Sequence, residues 1–167
     1  MKLRVKKNTG FTLVEMLIYM AILLIVSTAG VTFMISLNDF ISEYRVETAL
    51  YRSGTNALEQ VVVSIRQADT FNEVVSATST ATGTLAVADG VSTTIIRKNN
   101  AALELEIGGV DYGNLLSDGV EVTEFYVYQH TTDNGNMVRV KLGLQADVSG
   151  VSKALTLYGG AVIRGEL

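Results

Sequence analysis

A chain of 167 residues, 48% hydrophobic, with no cysteine, no proline and one histidine, can build neither a disulfide framework nor a histidine-based metal cluster. Its formal charge of −4 is unevenly placed: Lys2, Arg4, Lys6 and Lys7 precede Gly10, and removing them leaves nine Lys and Arg against seventeen Asp and Glu, or −8. That acidic remainder argues against direct, nonspecific binding of nucleic acid, and its length suits a single modest core.

The basic leader has no acid in it, which favours keeping this end on the cytoplasmic side of a membrane. From Phe11 to Leu37 the only group ionised near neutral pH is Glu15. At about 1.5 Å of rise per residue, a helix of that length crosses the roughly 30 Å hydrocarbon core. An acid at the centre of such a helix costs on the order of 3 kcal/mol, while the Leu, Ile, Phe and Val residues together favour insertion by about 4 to 8 kcal/mol. The helix can therefore carry Glu15. Its place in the first turn, near the interface and the positive end of the helix dipole, lowers the cost further. Glu15 is then either an acid tolerated near the headgroups or a group with a partner, for which an ammonium on Phe11, freed by a cut after Gly10, is the candidate. A rival for this end is an ordinary secretory signal, since Ser27-Thr28-Ala29 supplies small residues for a cut before Gly30. Glu15 sits awkwardly in that alternative.

The run Lys7-Asn8-Thr9-Gly10-Phe11-Thr12-Leu13-Val14-Glu15-Met16-Leu17-Ile18 resembles the processing signal of type IV prepilins and of the pseudopilins of type II secretion systems. The resemblance implies cleavage between Gly10 and Phe11 by a membrane-embedded prepilin peptidase, N-methylation of Phe11, and a role for Glu15 in assembly, paired with the terminal amine of a neighbouring subunit. The absence of proline departs from many major pilins, in which a proline kinks the membrane helix.

Beyond the apolar run, Phe40, Ile41, Tyr44, Tyr51, Leu58, Val61, Val62, Ile65 and Ala68 recur at helical spacing among charged residues, so an amphipathic helix continues to Asp69. Past Gly54 its apolar face is expected on a sheet, and before Gly54 on helices of neighbouring subunits. Gly30 and Gly54 read as weak points, each costing up to about 1 kcal/mol relative to alanine.

After Asp69 the pattern changes to short strands between Gly, Asn, Asp, Ser and Thr. The low-complexity run Ser76 to Gly83 reads as an exposed loop. Strands are predicted at Thr84 to Ala88, Thr93 to Arg97 and Ala102 to Ile107, with Asn99-Asn100 turning the last two into a hairpin. Gly119 to Gln129 and Met137 to Gln145 flank a turn signal at Thr131 to Asn136, and a final strand covers Ala154 to Arg164. Val138, Val140, Leu142 and Leu144 alternate with Arg139, Lys141, Gly143 and Gln145, giving one buried and one wet face. The expected fold class is α+β, pilin-like: a long N-terminal helix packed on an antiparallel β-sheet. The expected organisation is a leader over 1–10, a membrane or filament-core helix over 11–37, its amphipathic continuation over 38–69, and a globular β domain over 70–167.

Val120 to Tyr128, Val138 to Leu142 and Leu155 to Arg164 resemble the tail of minor pilins of the W type and minor pseudopilins of the J type, as does Ser64-Ile65-Arg66-Gln67-Ala68 at the helix end. An enzyme is not expected. No nucleophile elbow, P-loop or dinucleotide fingerprint is present. Glu104 and Glu106 share one face of a strand, as on any exposed sheet face, whereas Glu121 and Glu124 should face opposite sides. Asp133-Asn134-Gly135 reads as a turn in preference to a calcium loop, and His130 beside it as a solvated loop residue. No cofactor and no metal are expected.

The sequence thus reads as a noncatalytic minor pilin or pseudopilin that acts in assembly or priming of a filament. The resemblance implies as partners prepilin peptidase, other major and minor pilins or pseudopilins, and the inner-membrane assembly platform. It also implies a single pass through the cytoplasmic membrane, C-terminal domain outside, before entry into a pilus or pseudopilus. Two alternatives stay open: a ligand-binding adhesin or DNA-uptake subunit, and a plain single-span membrane-anchored β domain with no filament role.

Overall fold

The computed structural model describes residues 11–73, 76–132, 135–148 and 150–163. Helix α1 (Leu13–Gln67) is followed by β1 (Thr70–Phe71), β2 (Thr84–Ala88), β3 (Thr93–Asn99), β4 (Ala102–Ile107), β5 (Val110–Asn114), β6 (Val120–Thr132), β7 (Gly135–Val148) and β8 (Val151–Val162). The chain divides at Ile41/Ser42 into two compact units.

In the first unit the helix is apolar around its whole circumference, and the most hydrophobic stretch has none of its residues buried. Its hydroxyls turn back onto their own helix: Thr28 Oγ1 donates to Leu24 O at 3.0 Å, Thr32 Oγ1 to Thr28 O at 3.0 Å, and Ser36 Oγ to Thr32 O at 3.1 Å. These three hydroxyls are thereby satisfied without water, as a helix in lipid requires of its polar groups.

In the second unit the helical surface is two-sided. Val46, Leu50, Ser53, Gly54, Ala57, Val61 and Ile65 are buried at steps of three and four, a single stripe along α1. The stripe lies on antiparallel sheets, the expected α+β arrangement. There are two of them: a five-stranded sheet in sequence order β1 to β5, and a three-stranded sheet β6-β7-β8. One contiguous core joins the stripe to Leu85, Val87, Ile96 and Leu103 of the larger sheet and to Phe125, Val127, Leu142 and Leu144 of the smaller. Burial begins at Val46 and Leu50, so α1 covers the β domain for two turns before Gly54 and not only after it.

Gly54 is a contact point, not a weak one. A Cβ there would lie 2.7 Å from Leu144 Cδ1 and 2.8 Å from Leu157 Cδ1. The loss of helix propensity is the cost of bringing α1 close to the three-stranded sheet.

The strands expected at 84–88 and 102–107 form as read, and Asn100 makes the β3–β4 turn at φ 52°. The long hairpin extends further than expected. Thr131 pairs with Asn136 and Thr132 with Gly135, so the turn and the calcium alternative at Asp133 and Asn134 lie outside the described residues. His130 is a strand residue opposite Met137, not a loop residue. Strands β1 and β5 carried no alternation to find them by: β1 has two residues, and β5 is a short edge strand with a register shift opposite Leu105/Glu106.

A bulge at Thr123 corrects a second expectation. Glu121 pairs with Gln145 and Glu124 with Gly143, two partners on the same side of β7. The extra residue restores the parity, and both acids face outward while Val122 and Phe125 face the core.

The run 76–83 is only partly a free loop. Ser79 N–H donates to Val127 O at 3.0 Å, Phe125 N–H to Ala81 O at 2.9 Å, and Gly83 N–H to Phe125 O at 2.7 Å. This segment pairs with the outer edge of β6 and ties the two sheets together. A Cβ on Gly83 would lie 2.4 Å from Phe125 O, so glycine is required at that crossing.

Candidate processing and assembly site

Phe11 and Thr12 are non-helical, and α1 begins at Leu13. Sequence explains the start. Thr12-Leu13-Val14-Glu15 has the T-x-x-E spacing of a capping box, and Glu15 N–H donates to Thr12 Oγ1 at 3.2 Å. Met16 N–H then donates to Thr12 O at 3.2 Å, the first bond of the helical ladder.

In a full capping box the acid would turn back to the cap residue. Here its carboxylate turns forward instead: Tyr19 Oη donates to Glu15 Oε1 at 3.1 Å, one turn along the same face. The Phe11 ring meets the Tyr19 ring edge-on at 6.1 Å. Phe11, Glu15 and Tyr19 thus form one small cluster at the head of the helix. The Phe11 side chain is 71% exposed.

Of the residues assigned from sequence, Phe11 and Glu15 come together, whereas Gly10, Lys2, Arg4, Lys6 and Lys7 lie outside the described residues. The roles of Thr12 and Tyr19 were missed. Both signals were present, as T-x-x-E and as the i, i+4 spacing of Glu15 and Tyr19. The arrangement offers a bond between residues 10 and 11 that precedes the helix, and a carboxylate in the first helical turn, four residues on from Phe11, whose hydroxyl partner an incoming cation can replace.

The paired acids of the β domain are structural. Arg97 on β3 reaches across to β4, with Nε 3.0 Å from Glu104 Oε2 and Nη1 3.4 Å from Glu106 Oε2. The Glu104 hydrogen bond holds the guanidinium above its ordinary pKa. Lys141 is likewise raised by its hydrogen bond to Glu124, and Lys153 by its bond to Glu43.

Residues 5–31 match the family model described as the prokaryotic N-terminal methylation motif. No curated protein and no solved structure matches the chain. The matched segment is confined to the amino-terminal end of the 167 residues. It supports a pilin-like or pseudopilin-like subunit that is processed as a prepilin, and the long apolar helix is consistent with membrane anchoring.

Proposed function

We propose that the chain is a minor type IV pilin or pseudopilin, a noncatalytic subunit cut between Gly10 and Phe11, methylated on Phe11 and built into or onto a filament. The observation that carries this reading is the methylation motif over residues 5–31, continuous with a helix that starts just after the proposed cut. A capped helix start suits that role, because the bonds from the Glu15 and Met16 amides to Thr12 lie wholly on the side of the cut that is retained.

On this reading residues 11–37 lie first in the membrane and then in the filament core, residues 38–69 continue the helix, and residues 70–167 form the outer domain. Lys2, Arg4, Lys6 and Lys7 hold the leader on the cytoplasmic side. Glu15 assists assembly by exchanging the Tyr19 hydroxyl for the Phe11 amine of a neighbouring subunit, a charge-assisted partner in place of a neutral one. The partners are prepilin peptidase, other pilins or pseudopilins, and an inner-membrane assembly platform.

Intact mass and Edman sequencing of the processed chain test the cut: a start at Phe11 carrying one methyl group is expected, and a start at Gly30 would replace this reading with a secretory signal. Glu15→Ala tests the assembly role. The variant should insert and be cut but fail to enter filaments; unchanged assembly would remove the role assigned to that acid.

A further inference from the structure

The three-stranded sheet carries a cleft of about 760 Å³ on the face that α1 does not cover. Strand register sets out its contents. Tyr126, Lys141 and Tyr158 form one cross-strand row, and Tyr128, Arg139 and Gly160 form the next. Gly160 opens the floor: a Cβ there would lie 2.7 Å from Val138 O and 3.3 Å from Arg139 Cα. Above that gap stand the rings of Tyr128 and Tyr158, 42% and 72% exposed.

The aromatic wall is preformed. The Tyr126 and Tyr128 rings stack with centroids 5.9 Å apart and planes 7° from parallel, and Lys141 Nζ lies 5.3 Å from the centre of the Tyr126 ring. The stack leaves the Tyr128 side chain little freedom to lose when a ligand arrives. The size of the cleft falls within the usual range for small-molecule sites.

Its charge runs against that of the chain. Acids outnumber cations overall, yet none of the ten residues lining the cleft is Asp or Glu, and two are Arg139 and Lys141. Lys141 is already neutralised by Glu124 at 2.5 Å. Arg139 has no carboxylate partner among the described residues. An unpaired guanidinium between exposed aromatic rings is a planar fork for one oxyanion beside surfaces for one ring.

We propose that this cleft binds a carboxylated saccharide, with pyranose faces against the rings of Tyr128 and Tyr158, the carboxylate on Arg139, and sugar hydroxyls within reach of His130. A sugar acid matches both halves of the site: one anionic group, and an apolar C–H face surrounded by polar groups that stay wet. Single-stranded nucleic acid would bring a phosphate with every base to a face that offers one unpaired cation on an acidic chain. An extended peptide would pair with the open edge of β8, whereas the aromatic rings and the guanidinium of the cleft belong to the face of the sheet.

Calorimetric titration of the full chain in lipid nanodiscs with galacturonate, one ring with one carboxylate, tests the site. Saturable binding is expected, about tenfold or more tighter than that of uncharged galactose, as one charge-assisted hydrogen-bonded pair requires. Arg139→Ala and Tyr158→Ala should each weaken it by a similar factor, while Tyr158→Phe, which keeps the ring, and Lys98→Ala, a cation on the other sheet, should leave it unchanged. All three positions lie in strands outside the buried core, so the variants are expected to keep the thermal midpoint of the parent. Absence of saturable binding, indifference to Arg139→Ala, an equal loss with Lys98→Ala, or tighter binding of an oligodeoxythymidine would each overturn the proposal.

Discussion

The two lengths of α1 differ in what they ask of their surroundings. From Leu13 to Ile41 apolar side chains point in every direction and the hydroxyls of Thr28, Thr32 and Ser36 bond to their own backbone; from Val46 to Ile65 the buried residues form one stripe that the β domain covers, while Tyr51 stays exposed. A helix apolar all round is suited to lipid or to other helices, and a striped one to a core of its own. Stability of the β domain is therefore a property of the second length, and the first is consistent with membrane anchoring.

Paired substitutions break that comparison most sharply. Ile65 is fully buried and Ile25 is 68% exposed. Ile65→Ala should destabilise the β domain by about 2 to 5 kcal/mol, whereas Ile25→Ala should leave its thermal midpoint unchanged, measured on the full chain in detergent. Gly83→Ala, which drives a methyl group into Phe125 O, should cost about 1 to 3 kcal/mol and loosen the link between the sheets; amide exchange at Ser79, Gly83 and Phe125 would reveal it.

Ser53 offers a finer probe within the striped length. It is a buried polar residue of the helix stripe, and its Oγ accepts the Ser117 backbone N–H at 3.0 Å. Ser53→Ala should cost about 1 to 2 kcal/mol by leaving that donor without its partner, and faster exchange of the Ser117 amide should accompany the loss.

The smallest effect belongs to Asp89, at the β2–β3 turn. Its Oδ1 accepts the Ser92 and Val91 amides at 2.8 and 3.1 Å, and those bonds, Ser92 first, hold its pKa below the ordinary aspartate value. A depressed carboxylate stabilises the fold above its unfolded pKa and loses that contribution as pH falls through the folded one. The midpoint of the parent should fall slightly more steeply on acidification below roughly pH 4 than that of Asp89→Asn.

Much of this architecture is written in periodicity. The strands at 84–88 and 102–107, the alternation of β7 and the helical stripe could be read because each repeats a physical constraint over several residues. Isolated events could not. The bulge at Thr123 shifts parity once and reverses the relation of Glu121 and Glu124, and the division into two sheets depends on pairing between distant segments. Gly54 illustrates the same limit: propensity marks it as a defect, and only the proximity of Leu144 and Leu157 turns it into a fit. At the head of the helix, Phe11 and Glu15 were legible from the order of residue types. The Tyr19 hydroxyl was not, because a tyrosine in an apolar run reads as one more hydrophobic residue until its hydroxyl is found 3.1 Å from the carboxylate.

The strip at 76–83 joins the sheets through main-chain amides and carbonyls at Ser79, Ala81 and Gly83. Every residue type but proline supplies those groups, so most of its serines, threonines and alanines can be exchanged for other short polar residues without parting the joint. Gly83 is irreplaceable there, Ser79 holds a φ of 60°, and Ser76 Oγ accepts the Ala86 N–H at 3.0 Å. The segment with the least distinctive composition in the chain is a seam whose spelling is free at most letters and constrained at three.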